Sequence, residues 1–140
     1  MTFFRNALAT ALLVPTVLAA ETPLVAHLSV ELNASQPVDQ GCKLSFVVVN
    51  GHEQDVSKVV YEAVLFDTQG QVSSLMLFDF GKLPAKRPRV RQFVVPNQSC
   101  DGVGQVLVNG VTQCDGVGLP EDACMRDLKL GSRTGIEVAG

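Results

Sequence analysis

The sequence predicts an all-β fold, an antiparallel β-sandwich of six to seven strands stapled by two disulfides. Three observations predict it. Apolar residues alternate with a period of two in several short runs. Turn-forming Gly, Pro, Asn and Asp clusters separate those runs at hairpin spacing. No window beyond the first twenty residues carries a 3.6-residue apolar period.

The first strand is read at residues 24–33, where Leu24, Ala26, Leu28, Val30 and Leu32 share one face and His27, Ser29, Glu31 and Asn33 the other. Residues 35–41 are rich in turn formers and end it. A second strand covers residues 42–50, with Leu44, Phe46 and Val48 inward, and a polar loop follows at 51–57. Residues 59–67 are apolar on both faces, which points to a central strand. Thr68-Gln69-Gly70 turns the chain into a strand at 72–80. Gly81 and Leu83-Pro84 interrupt the pattern before a strand at 89–95, and a short one follows at 103–109. Residues 127–138 add a last strand or a short helical turn. Strands at this spacing suit an immunoglobulin-like sandwich, with a small closed barrel as the second choice.

Residues 1–20 read as a secretory signal peptide followed by one domain at 21–140. Arg5 supplies the positive start, residues 7–18 the apolar stretch, and Ala19 and Ala20 the small residues for cleavage. The apolar run is shorter than the roughly 20 residues of a membrane-spanning helix and contains Pro15. A periplasmic or secreted location follows, with no transmembrane segment after cleavage. The whole chain carries a net charge of −3. Losing only Arg5 leaves ten bases against fourteen acids, so nothing in the charge calls for nucleic acid as a partner.

Cys42, Cys100, Cys114 and Cys124 all lie in the mature part, an even count that in an exported chain reads as two disulfides. Their spacing, with both histidines remote, argues against a metal site, and no cofactor is expected. Cys42 opens the second strand and Cys100 follows the strand at 89–95. If those strands are antiparallel neighbours, Cys42–Cys100 staples a sheet end and Cys114–Cys124 clips a surface loop.

From residue 46 to 95 the chain resembles the FxLYD-type domains of exported proteins. Val47-Val48-Val49-Asn50 closes a strand, and Ala63-Val64-Leu65-Phe66-Asp67 is similar to Phe-x-Leu-Tyr-Asp with Ala63 and Phe66 substituted. Asp67-Thr68-Gln69-Gly70 matches the family's hairpin, and Leu83-Pro84 with Phe93 its later positions, although Lys86 stands where Gly is usual. The cysteines are outside that pattern. The resemblance implies an immunoglobulin-like module working outside the cytoplasm, without an assigned chemistry.

Five of the ten mature bases fall in residues 82–91 without an acid: Lys82, Lys86, Arg87, Arg89 and Arg91. The strand spacing of Arg87, Arg89 and Arg91 puts their guanidinium groups on one face, suited to an anionic partner. The plainer and heavier reading is a solvated edge strand guarded by charge and Pro88. Cys100-Asp101-Gly102-Val103-Gly104 recurs as Cys114-Asp115-Gly116-Val117-Gly118. Such corners are structural turns, although Asp101, Asp115, Glu121 and Asp122 would together offer oxygen ligands to Ca²⁺. His52, Glu53 and Asp55 form the one acid–base grouping, with no nucleophile elbow to serve it.

The expected role is a non-catalytic interaction or accessory module of the cell envelope, with an envelope protein or an anionic surface as partner and residues 82–91 as the docking element. A small-ligand or Ca²⁺-binding protein is the alternative. An unrecognised hydrolase comes third, and would need His52, Glu53 and a Ser clustered at the floor of a pocket.

Overall fold

Alternation in the sequence becomes one-sided burial in the structure, a computed structural model that describes residues 25–140. The expected leader at 1–20, and Leu24 of the first expected strand, lie outside the described residues. β1 (Leu28–Val38) turns Leu28, Val30 and Leu32 inward, and β2 (Gly41–Asn50) does the same with Leu44, Phe46 and Val48. β1 runs through the segment expected to be a turn. The reason is a bulge, because the register against β2 shifts between Leu32 and Ala34 and then continues to the pair Val38–Gly41. Pro37 is tolerated because β1's other neighbour, β7, pairs only with residues 29–32. The turn shrinks to Asp39 and Gln40, where Gln40 has φ 64°.

β3 (Val56–Phe66) lies between β4 (Val72–Leu83) and β6 (Gln105–Asp115), which accounts for its apolar residues on both faces. Val59, Tyr61, Ala63 and Leu65 face the core, while Val60 and Val64 on the opposite face are also buried, each 8% exposed. In the β3–β4 hairpin, Gly70 takes φ 79° and the Asp67 carboxylate accepts from the backbone of Gln69 and Gln71. β4 extends three residues past its expected end. Gly81, at φ 64°, absorbs an irregularity there with its N–H on the Asp79 carboxylate, so Leu83 returns to the core. β5 (Pro88–Pro96) pairs antiparallel with β2.

The sheets have the orders β5-β2-β1-β7 and β4-β3-β6-β8 and pack face to face as the expected sandwich. The six long strands pair antiparallel. Two short strands bring the number to eight. β7 (Lys129–Ser132) joins parallel to β1, and β8 (Glu137–Ala139) parallel to β6. Strands of four and three residues are too short to register as a period, so the tail was legible only as one further element. Between the sheets, Phe46, Phe78, Phe80, Phe93 and Tyr61 form one aromatic cluster, with Phe78 and Phe93 stacked at 4.5 Å.

Both disulfides join the expected partners. Cys42–Cys100 ties β2 to a 3₁₀ turn (Cys100–Gly102) on the crossover from the first sheet to the second. Cys114–Cys124 clips the loop that follows β6. No helix among the described residues is long and apolar enough to cross a membrane.

Candidate interaction surface

One end of the sandwich is made by residues 51–55, residues 84–87 and the disulfide-clipped loop 115–124. Each is polar and irregular, and a buried set of hydrogen bonds holds them together. Asn50 is fully buried. Its amide nitrogen donates to the carbonyls of Gln54 and Leu83, and its amide oxygen accepts from the His52 N–H. His52 is 2% exposed, and its Nε2 lies 2.9 Å from the Ala123 carbonyl. A carbonyl only accepts, so Nε2 carries the proton. The Tyr61 hydroxyl donates to the Cys124 carbonyl at 2.6 Å, and burial pushes that phenol well above its ordinary pKa.

This arrangement corrects the acid–base reading of His52. The ring is turned into the core as a tether for the disulfide loop, while Glu53 points outward to an ion pair with Lys86 at 3.0 Å. A surface concavity lined by Glu53, Gln54, Asp55, Ser57, Lys82 and Val117 holds two carboxylates and a serine, but His52 is not among its walls. The grouping that a hydrolase would need is therefore not assembled.

The basic stretch divides into two sets. Lys86 is occupied: its backbone N–H donates to Asn50, and its ammonium reaches the Gly51 carbonyl at 2.7 Å as well as Glu53. Its φ of 60° lies in the left-handed region that glycine adopts most readily. Arg91 is occupied too. From the edge strand β5, its Nε and Nη2 donate to the carbonyls of Phe80 and Lys82 at the end of β4, at 2.7 and 2.8 Å. That fork bridges the two sheets across the open side of the sandwich.

Arg89 and Arg91 do share one face of β5, as their spacing implies. It is the half-buried face that also carries Phe93 and Val95, while Val90 and Val94 face solvent. The expectation of five equivalent docking cations is thus reduced to three. Lys82 and Arg87 are exposed, and Arg89 is half-buried with a hydrogen bond only to the neighbouring Pro88 carbonyl. Among the described residues none of these three has an ion-pair partner. The acids nearby are engaged elsewhere: Glu53 with Lys86, Asp79 with Lys58, and Asp55 with the Ala85 N–H.

The repeated Cys-Asp-Gly-Val-Gly segments flank β6 and serve as turns at its opposite ends. The backbone approaches closely at both. A Cβ on Gly104 would sit 2.5 Å from the Asp67 carbonyl oxygen, and one on Gly116 equally close to that of Asp55. An extended strand rises roughly 3.3 Å per residue, so the 11 residues of β6 hold Asp101 and Asp115 roughly 30 Å apart. The four acids read as a Ca²⁺ set are not brought together. Asp122 instead pairs with Arg126, and no cluster of metal-ligating side chains occurs among the described residues.

Sequence reasoning missed Asn50 and Tyr61 as organising residues. Tyr61 is the one tyrosine of the chain, which is a weak signal, and nothing local marks Asn50. Comparison with protein-family models, with curated proteins and with solved structures returns no match for this chain.

Proposed function

We propose that this chain is a non-catalytic interaction module working outside the cytoplasm. Its docking element is the corner where β4 passes into β5, and its partner presents an acidic surface. The observation that carries the reading is the state of Lys82, Arg87 and Arg89, three cations of one ten-residue stretch that have no carboxylate partner among the described residues. Lys86 and Arg91 of the same stretch are consumed in holding that corner together. Two disulfides support an oxidising compartment. A corner fixed by Asn50, Arg91 and the clipped loop offers a rigid surface, which lowers the ordering cost of binding.

The test uses polyglutamate as an acidic probe, with heparin and anionic vesicles alongside it. Binding to polyglutamate should weaken steeply with salt. Lys82→Glu with Arg87→Glu should abolish it and leave the melting temperature nearly unchanged, since both side chains are exposed and unpaired. Retention of full binding by that variant would remove the proposal. Preference for vesicles over the acidic polymer would redirect it to a lipid surface.

A further inference from the structure

Asparagine followed by glycine is a chemically labile pair, because a glycine nitrogen with no Cβ beside it attacks the side-chain amide of the residue before it with little hindrance. The sequence holds two such pairs, Asn50-Gly51 and Asn109-Gly110, and two aspartate equivalents, Asp101-Gly102 and Asp115-Gly116. The fold shields all but one. The Asn50 amide is fully buried and hydrogen-bonded at both its oxygen and its nitrogen, and the Gly51 N–H is engaged by the His27 carbonyl at 2.9 Å. The Gly102 N–H is engaged by the Ser99 carbonyl. Gly116 is pressed against Asp55, whose carbonyl oxygen a Cβ there would meet at 2.5 Å.

Asn109-Gly110 has none of this shielding. The Asn109 side chain is exposed. Asn109 is also the extra residue of a bulge: Glu62 of β3 opposes Gly110 and Ala63 opposes Val108, so the residue between has no partner in the ladder. On the other side of β6, β8 pairs only with residues 105–107. A Cβ added to Gly110 would meet nothing within 4 Å, whereas one on Gly51 would meet the His27 carbonyl oxygen at 2.5 Å. Asn33 is the extra residue of the β1 bulge, but Ala34 follows it, and its Cβ hinders the same attack.

We propose that Asn109-Gly110 is a site of spontaneous covalent modification, where the exposed amide turns into aspartate and isoaspartate in the folded protein. The Gly110 nitrogen bonds to the side-chain carbonyl carbon of Asn109. The C–N bond of the side-chain amide breaks, and its NH₂ leaves as ammonia with the proton given up by the Gly110 N–H. Water then opens the cyclic imide at either carbonyl. One opening gives aspartate, and the other gives isoaspartate with the main chain rerouted through the side chain. Water is the only co-reactant. The Asn109 Nδ2 donates to the Glu62 carboxylate at 2.6 Å, so the product replaces a donor by a second carboxylate at that contact. Like charges facing across the strand pair loosen β3 from β6 at the bulge. The site therefore records the age of the molecule, and it depends neither on the basic stretch nor on a partner.

Peptide mapping by mass spectrometry tests this on the purified, disulfide-intact protein held at mildly alkaline pH. Water enriched in heavy oxygen during that incubation marks products formed before digestion. Position 109 should gain both labelled products, while Asn50 keeps its amide. In urea with the disulfides reduced, both Asn-Gly pairs should convert. Gly110→Ala should leave most of the Asn109 amide intact over the same period. Its methyl group enters open space, so the variant folds, and unchanged circular dichroism confirms it. An Asn109 amide that outlasts the incubation as Asn50 does overturns the proposal, as does equal conversion in the Gly110→Ala protein. Labelled aspartate without isoaspartate overturns the imide route. The converted protein should melt below the fresh one, and a melting temperature that does not move overturns the loosening of β3 from β6.

Discussion

Tyr61 joins the core to the clipped loop through one short hydrogen bond, and its phenol is the most perturbed acid in the described chain. Because its folded pKa is raised by burial, the stability it contributes is fully present below the unfolded value of about 10. It is lost as pH rises past that value, where the unfolded chain releases a proton that the folded one keeps. With one Tyr and no Trp in the sequence, tyrosinate absorbance reports on this group alone. It should appear together with unfolding in an alkaline titration, not before it. Tyr61→Phe should cost about 1–2 kcal/mol in urea unfolding, through the unsatisfied Cys124 carbonyl, and should flatten the alkaline decline. Glu31 shows the opposite sign. The hydrogen bond from Arg133 holds its carboxyl below the ordinary value, so its small, exposed contribution is lost as pH falls through that lowered pKa. None of these roles was legible from local sequence. Asn50 acts on Leu83 and Tyr61 on Cys124, partners that only the folded chain brings near.

At the level of elements, β2 and β3 were legible because each buries a face, or both faces, along its whole length, and a period survives in the residue order. The ends of β1 and β4 were not. Both strands pass through an irregularity, at residues 32–34 and at Gly81, where a one-residue slip hides the continuation from a strict alternation. The basic stretch was legible as a cluster but not as a division of labour. Arg91 is placed by the meeting of β5 with β4, a contact between sheets that strand spacing does not encode. Arg91→Ala should lower stability by about 1–3 kcal/mol, the scale of hydrogen bonds to a charged donor. Arg91→Lys should recover only part of it, since an ammonium lacks the planar fork that spans two carbonyls. Arg89→Ala should change it by less than about 0.5 kcal/mol. Chemical denaturation of the three variants separates a structural arginine from a free one.

For the whole molecule, the two bridges differ more in consequence than in kind. The Cys42–Cys100 link spans 58 residues and Cys114–Cys124 only 10. On the chain-entropy model the first contributes about 4 kcal/mol and the second about 3. Either is a large share of the roughly 5–15 kcal/mol that holds a domain together. Replacing Cys42 and Cys100 by Ala should therefore bring the protein close to its unfolding threshold. Replacing Cys114 and Cys124 should cost less than the model value, because His52 and Tyr61 still hold the Ala123 and Cys124 carbonyls. Thermal unfolding of the two variants measures the order.

The parallel pairing of β7 with β1 carries a consequence for how the chain reaches this state. Ser29 faces Lys129, so a strand near the start of the described residues gains its outer neighbour from one near their end. The hairpins can form early, from neighbours in sequence, but β7 joins the first sheet only when residues 29–32 and 129–132 meet. Folding should then end in a slow zipping step that depends on residues 129–132. A chain halted before them would keep a bare strand edge along β1. For such a molecule, completeness of synthesis is itself a condition for staying out of aggregates.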